Sequence, residues 1–265
     1  LDIRTECGDM GDLPLKKKVA LITGSARGIG SVIAMKFSNL GADVVITYRK
    51  QGSSSQAKGK KLCEGINKGG GRAILVNCDI SQKQSVKKTV NDAKAHFGRL
   101  DFLILNAARA PFKPIERLFE RELRDLVNTN YLGHIFCIQE AIPLLEKTDG
   151  KIVFISSLGS RFYNPSYPLG SMKAAMESVV RDCSQSLRKK KIRVNGVCGG
   201  LVKTDAFKTL RLYWEGIDQL PDHLFVPPEE MADVVMFLCG PESRGICGQI
   251  LVVDRGLSNR LFGPF

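Results

Sequence analysis

The chain has no apolar run approaching the ~20 residues that cross a bilayer, so no membrane-spanning helix is expected. No signal-peptide pattern opens it. Cys-x-x-Cys pairs are absent. The eight cysteines (Cys7, Cys63, Cys78, Cys137, Cys183, Cys198, Cys239, Cys247) are scattered, mostly inside apolar runs, and read as small buried hydrophobes. That distribution fits a reducing cytoplasm and argues against a metal centre or a disulfide framework. Histidine is scarce as well: His96, His134 and His223 have no partners at motif spacing and read as structural. Zinc-finger spacing and an aromatic-basic RNA motif are both missing, so a nucleic-acid partner is not expected. No repeat, low-complexity tract or linker divides the 265 residues, which suit one large α/β domain.

Acidic charge is the last shortage. Lys and Arg number 39 against 27 Asp and Glu, a formal charge of +12. The basic runs 16–18, 58–61 and 188–191 are ordinary solvated faces taken singly. Together they imply attraction to an acidic partner, whether a phosphorylated cofactor or an acidic carrier protein.

The organising stretch is 19–30, Val-Ala-Leu-Ile-Thr-Gly-Ser-Ala-Arg-Gly-Ile-Gly. An apolar run of strand length leads into three glycines spaced G-x-x-x-G-x-G, and an amphipathic helix follows to about residue 40. Glycines allow a tight turn and let a phosphate approach amides at the helix N-terminus, where the dipole favours negative charge. Residues 1–14 are polar, aperiodic and read as a flexible N-terminal arm ahead of a domain at 15–265. Strands are expected at 19–23, 43–48, 73–77, 101–105, 151–156, 192–197 and 250–253. Helices are expected at 28–40, 54–67, 82–97, 116–145, 168–188 and 228–238. This alternation describes a doubly wound, seven-stranded parallel sheet covered on both faces. Residues 201–227 interrupt it with an apolar, aromatic insertion (Phe207, Leu210, Tyr213, Trp214, Phe225).

Ligands in such sheets bind beyond the carboxyl ends of the strands. Taken in order, those exits present the glycine loop with Gly24, Ser25, Arg27, Gly28, Ile29 and Gly30, then Arg49 and Lys50. Asp79 and Ile80, Asn106 and Ala107, Ser156 and Ser157 follow, and finally Gly199 and Gly200 with Thr204. Chance explains any one of these and explains the set poorly. A dinucleotide enzyme preferring NAD carries an Asp or Glu after the second strand; here Tyr48-Arg49-Lys50 stands there, with Arg27 in the glycine loop. Guanidinium forks onto a 2′-phosphate. NADPH is the expected cofactor, against the plainer reading that Arg49 and Lys50 cap a solvated turn.

Thr23-Gly-Ser-Ala-Arg-Gly-Ile-Gly30, Asn106-Ala107, Asn130, Ser157, Tyr167, Lys173 and Asn195 stand in the order of the short-chain dehydrogenase/reductase family, which the chain resembles over about residues 16–257. The resemblance implies that Asp79 contacts adenine, that Asn106 lines the cofactor, and that Val202 and Thr204 hold its nicotinamide end. It also implies a homotetramer or homodimer packed through the fourth and fifth helices. Many members carry Tyr-x-x-x-Lys, but the residue four before Lys173 is Leu169, which has no proton to give. Enoyl-acyl-carrier-protein reductases carry Tyr-x-x-x-x-x-x-Lys, often with a second tyrosine upstream. Tyr167 and Lys173 fall one residue short of that spacing. Six residues of ideal helix turn ~600°, off the original face, so both can face one cleft only if Tyr167 precedes the helix; Pro168 as the first helical residue would allow this. Ser156-Ser157-Leu158-Gly159-Ser160, Tyr163 and Gly199-Gly200 resemble the same reductases.

The expected activity is NADPH-dependent reduction of an enoyl thioester. Tyr167 would donate to the developing enolate, Lys173 would hold the nicotinamide ribose, and Ser157 and Asn130 would support them. Tyr163 is either a second active-site tyrosine or a packing residue, and Ser157 could instead bond only backbone. The insertion would take the acyl chain, and the basic surface would meet an acidic acyl carrier protein. Alternatives are a 3-oxoacyl or other ketone reductase, with Tyr167 as general acid, and a dinucleotide-binding protein without turnover.

Overall fold

The computed structural model describes residues 13–163, 168–204, 207–208, 211–213 and 217–259. Seven strands form one parallel sheet: β1 (Val19–Ile22), β2 (Asp43–Tyr48), β3 (Ala73–Asn77), β4 (Phe102–Leu105), β5 (Lys151–Ser157), β6 (Arg193–Gly199) and β9 (Ile250–Val253). Their order is β3-β2-β1-β4-β5-β6-β9, so the chain reverses its direction of winding between β1 and β4. Two short strands, β7 (Leu201–Val202) and β8 (Phe225–Val226), pair separately at the two ends of the insertion.

Both faces of the sheet are buried, which is why its strands read as continuous apolar runs rather than alternating ones. Successive residues serve opposite cores. Val19 and Leu21, Leu103 and Leu105, and Ile152 and Phe154 pack with α3 (Lys83–Phe97), α5 (Gly133–Leu145) and α6 (Gly170–Ser186). Ala20 and Ile22, Phe102 and Ile104, and Val153 and Ile155 pack with α1 (Gly28–Asn39), α2 (Ser54–Lys68) and α7 (Pro228–Cys239). Each large side chain so buried contributes about 1.5–3 kcal/mol. At the strand entries Asp101, 2% exposed, accepts from Val19 N at 3.0 Å and from the Arg99 guanidinium at 2.8 and 2.7 Å, with Lys18 at 3.3 Å. This fastens β1 beside β4.

Two expected helices differ. The single helix over 116–145 is divided into a 3-10 turn at Ile115–Arg117, α4 (Glu120–Val127), a π turn at Asn128–Leu132 and α5. Asn130 Nδ2 donates to Leu126 O at 3.0 Å, giving the backbone ladder a side-chain competitor at the point where the turn widens. Helix α6 begins at Gly170 rather than Pro168, with Leu169 as its N-cap. The carbonyl of Gly159 occupies the place a Cβ on residue 170 would need, so the helix starts where a glycine allows the 158–160 turn to press against it.

Candidate active site

The exits of β1, β2, β4, β5 and β6 enclose a cleft of about 610 Å³ at the winding reversal. Its floor is the glycine loop. Gly24 and Gly28 have φ of +65° and +60°, conformations that disfavour side chains. Helix α1 starts at Gly28 with no acidic residue in its first turn and no side-chain cap from Arg27. Its leading amides and dipole are therefore available to an anion.

A hydroxyl and amide network fixes this loop. Thr23 Oγ1 donates to Ile104 O at 3.2 Å and accepts from the amides of Asn106 and Ala107 at 2.9 and 3.0 Å. Asn106 Nδ2 donates to Thr23 O at 2.9 Å and to Gly24 O at 3.2 Å. Ser25 Oγ donates to Ile22 O and accepts from Thr47 N, while Thr47 Oγ1 accepts from Gly24 N at 2.8 Å. Thr23, Ser25 and Thr47 are all at most 1% exposed. A side chain at Gly30 would meet Asn106 Nδ2, Gly24 O and Ser25 Cα.

Of the residues singled out in the sequence, Gly24, Arg27, Gly28 and Ile29 line the cleft from the glycine loop, and Arg49 and Lys50 line it from the β2 exit. Ile80, Asn106 and Ala107 face it next. Ser157 and Lys173, then Gly200, Val202 and Thr204, complete the wall. Others stand apart. Ser25 is enclosed and Gly30 is packed beneath the loop. Asp79 Oδ1 accepts from Ser81 N and Ser81 Oγ at 3.0 and 2.7 Å, turning the start of α3. Asn130, fully buried, accepts from Arg109 N at 2.9 Å and donates to Arg109 O at 2.7 Å, so it holds the β4 exit loop from behind. Asn195, on β6, donates to Ile246 O and accepts from Gln249 N in the segment that leads into β9. Tyr163 is 89% exposed and is not among the cleft-lining residues. Tyr167, Leu210 and Trp214 lie outside the described residues.

Lys173 is the buried cation of the site. It is 3% exposed, donates from Nζ to Ile155 O at 2.6 Å, and stands over the Phe154 ring at 4.7 Å. Burial lowers its pKa to about 8, a shift that Cys198 and Glu177 nearby oppose. His134 meets the same ring edge-on at 5.4 Å, fully buried, and among the described residues neither ring nitrogen is within hydrogen-bonding geometry of a partner. Burial first, and then Lys173, lower its pKa to about 3. Leu169, 3% exposed, lines the cleft one helical turn before Lys173. Ser157 Oγ accepts from Gly159 N at 3.4 Å. Phe207 lines the cleft and packs against Phe225 at 5.3 Å; Phe112 stacks on Tyr213 at 5.7 Å, joining the β4 exit loop to the insertion.

Sequence reasoning missed Thr47, whose only signal is a hydroxyl near the end of an apolar strand. It also missed Ser53 and Ser55, which line the cleft beside Arg49 and Lys50 at the start of α2. Among the described residues no group of His, Cys, Asp or Glu could hold a metal ion, and no helix is long and apolar enough to cross a membrane.

The profile of a family described as enoyl-(acyl carrier protein) reductase matches residues 24–258. A 1-cyclohexenylcarbonyl-CoA reductase of Streptomyces collinus is 35% identical, over 92% of this chain and 88% of its own. A hydroxynaphthalene reductase-like protein of Metarhizium robertsii is 31% identical, over 91% and 95%. A 7α-hydroxysteroid dehydrogenase complexed with NADH and 7-oxo glycochenodeoxycholic acid superposes with a TM-score of 0.83 at 30% identity, covering 94% of this chain and 97% of that one. A short-chain dehydrogenase of Burkholderia cenocepacia in complex with NADP gives 0.82 at 30% identity, over 91% and 98%. With the winding order, the glycine loop and the buried lysine at one cleft, these likenesses make the chain a member of the short-chain dehydrogenase/reductase family, an oxidoreductase on a single Rossmann-type domain.

Proposed function

We propose that the protein is an NADPH-dependent reductase of enoyl thioesters. The observation that carries this reading is Leu169. The cleft-facing position one turn before Lys173, where a Tyr-x-x-x-Lys ketone reductase presents its acid, holds an aliphatic side chain. A donor displaced to Tyr167 suits an enolate, whose oxygen lies three bonds from the carbon that receives hydride, against one bond in a ketone. The family description and the 1-cyclohexenylcarbonyl-CoA reductase point the same way. The hydroxynaphthalene reductase-like relatives and the hydroxysteroid dehydrogenase favour a second reading, reduction of a 3-oxoacyl or other ketone.

The residues present fit a phosphorylated dinucleotide. The uncapped start of α1 suits a diphosphate, and a Cβ on Gly28 would approach nothing closer than Thr204 Cγ2 at 4.0 Å. Arg49, Lys50, Ser53 and Ser55 gather at the start of α2, whose first turn has no carboxylate to repel a 2′-phosphate. When bound, NADPH would supply the hydride. Lys173 would hold the nicotinamide ribose, Val202 and Thr204 its amide end, and Asn106 the loop beneath. Tyr167 would meet the charge developing on the thioester oxygen, with Ser157 beside it. Asn130 supports from behind through the Arg109 backbone.

Phe119, at the N-cap of α4, and Leu123 and Val127 on that helix form an exposed apolar stripe, which supports a homodimer or homotetramer through that helix and α5. The +12 charge favours an acidic acyl carrier protein as substrate bearer, and the seven described cysteines, all free thiols, suit the cytoplasm. Product analysis with 4-deuterated NADPH tests the chemistry. Deuterium should appear at C3 of a saturated thioester when crotonyl thioester is supplied; label only in a 3-hydroxy product from a 3-oxo thioester would establish the second reading.

A further inference from the structure

Glu177 follows Lys173 by one turn of α6 and is 8% exposed. Its Oε1 accepts from Ser156 Oγ at 2.5 Å and from Ser160 Oγ at 2.7 Å, and its Oε2 lies 4.0 Å from Arg161 Nε. Those two serines flank Ser157. Among the described residues the hydrogen bond at Ser157 Oγ is the long one from Gly159 N, 3.4 Å, and the turn around Ser157 helps set its position. The carbonyl of that same Gly159 rests on Gly170 at the start of α6. One carboxylate thus joins the end of β5, the 158–160 turn and the helix carrying Lys173. A carboxylate this buried is costly unless hydrogen-bonded and balanced by charge. The two hydroxyls and Arg161 meet that need, and Lys173 lies at the neighbouring position on the same helix face.

We propose that Glu177 is a positioning residue of this site: it holds Ser157 by bonding the hydroxyls on either side, and its charge supports the Lys173 ammonium. The inference rests on the reading of Ser157 and Lys173 as site residues. The groups facing Lys173 make Glu177 the decisive charge. Cys198 on β6 is a thiol pushed up to about 11 by burial and by Glu177, so it is neutral at pH 8. His134 on α5 is neutral above about pH 3. Arg161, from the turn after β5, stands 4.0 Å from Glu177 Oε2 and is paired with it. Burial brings Lys173 to about 8, where loss of its proton overlaps the working range, and Glu177 opposes that loss.

The test separates the charge from the hydrogen bonds. NADPH affinity is measured by fluorescence from pH 6 to 10, and kcat and KM over the same range. In Glu177→Gln the alkaline midpoint for NADPH binding should fall by about one unit, the low end for losing a neighbouring opposite charge. In the Ser156→Ala/Ser160→Ala double variant that midpoint should stay in place while kcat falls about tenfold or more, as expected for a displaced site group. Should Glu177→Gln not fold, Glu177→Asp gives the same readout, with a smaller shift in the same direction. NADPH binding whose midpoint is unmoved in the Glu177 variant overturns the inference alone. Wild-type protein that binds no NADPH at any pH overturns the site reading beneath it.

Discussion

His134 gives the sharpest quantitative consequence of the buried site. Its ring is fully buried against Phe154, and burial, followed by the Lys173 charge, lowers its pKa from 6.5 to about 3. The folded value lies below the unfolded one, so between these limits the unfolded chain binds the extra proton. Stability is therefore complete above pH 6.5 and is lost as pH falls toward 3. Each unit is worth about 1.4 kcal/mol. From pH 6.5 to 4.5 this histidine alone should remove about 2.7 kcal/mol. Urea unfolding of wild type and His134→Leu, at pH 7 and 4.5 and one protein concentration, isolates the term, since the carboxylates are common to both. The variant starts from its own baseline at pH 7, because the edge-on contact with Phe154 is lost. Its fall to pH 4.5 should nonetheless be smaller than the wild type's by about 2–3 kcal/mol. Equal falls would mean that His134 is protonated or solvated in the folded protein, and the closed packing around Lys173 would be wrong.

Arg49→Ala should narrow the preference for NADPH over NADH by about 1–3 kcal/mol, the range of one charge-assisted contact; calorimetry showing equal affinities in the wild type would remove the basis for it. Asp101→Asn should lower unfolding free energy by about 2 kcal/mol without changing NADPH affinity, because it weakens the Arg99 and Val19 contacts far from the cleft. Tyr167→Phe should reduce kcat by about a hundredfold with NADPH binding intact. Tyr163→Phe should change little, since Tyr163 stands in solvent; the reverse pattern would reassign the donor.

The doubly wound sheet was legible because every central strand is buried on both faces and shows itself as an apolar run closed by a small or polar residue. The break between α4 and α5 was not legible. It depends on Asn130 bonding Leu126 O, whereas the amphipathic pattern continues through it. Nor was the β7–β8 pair, two residues from each end of an irregular insertion. Within the site, residue types pointed to the cleft but not to the direction each side chain takes. Ser25, Asp79 and Asn130 satisfy backbone groups, while Arg49, Lys50 and Lys173 face the cleft. Glu177 became meaningful only once Ser156 and Ser160, 21 and 17 residues away in sequence, were seen on one carboxylate oxygen.

The proposed reductase differs from a ketone reductase in preferring a carbon–carbon double bond conjugated to a thioester. Steady-state NADPH oxidation, followed with crotonyl and acetoacetyl thioesters on the same carrier, measures that preference. For the crotonyl substrate kcat/KM should be at least about tenfold above that for the acetoacetyl one, a difference of about 1.4 kcal/mol in transition-state binding. Preferential turnover of the acetoacetyl thioester would contradict it and make the protein a ketone reductase.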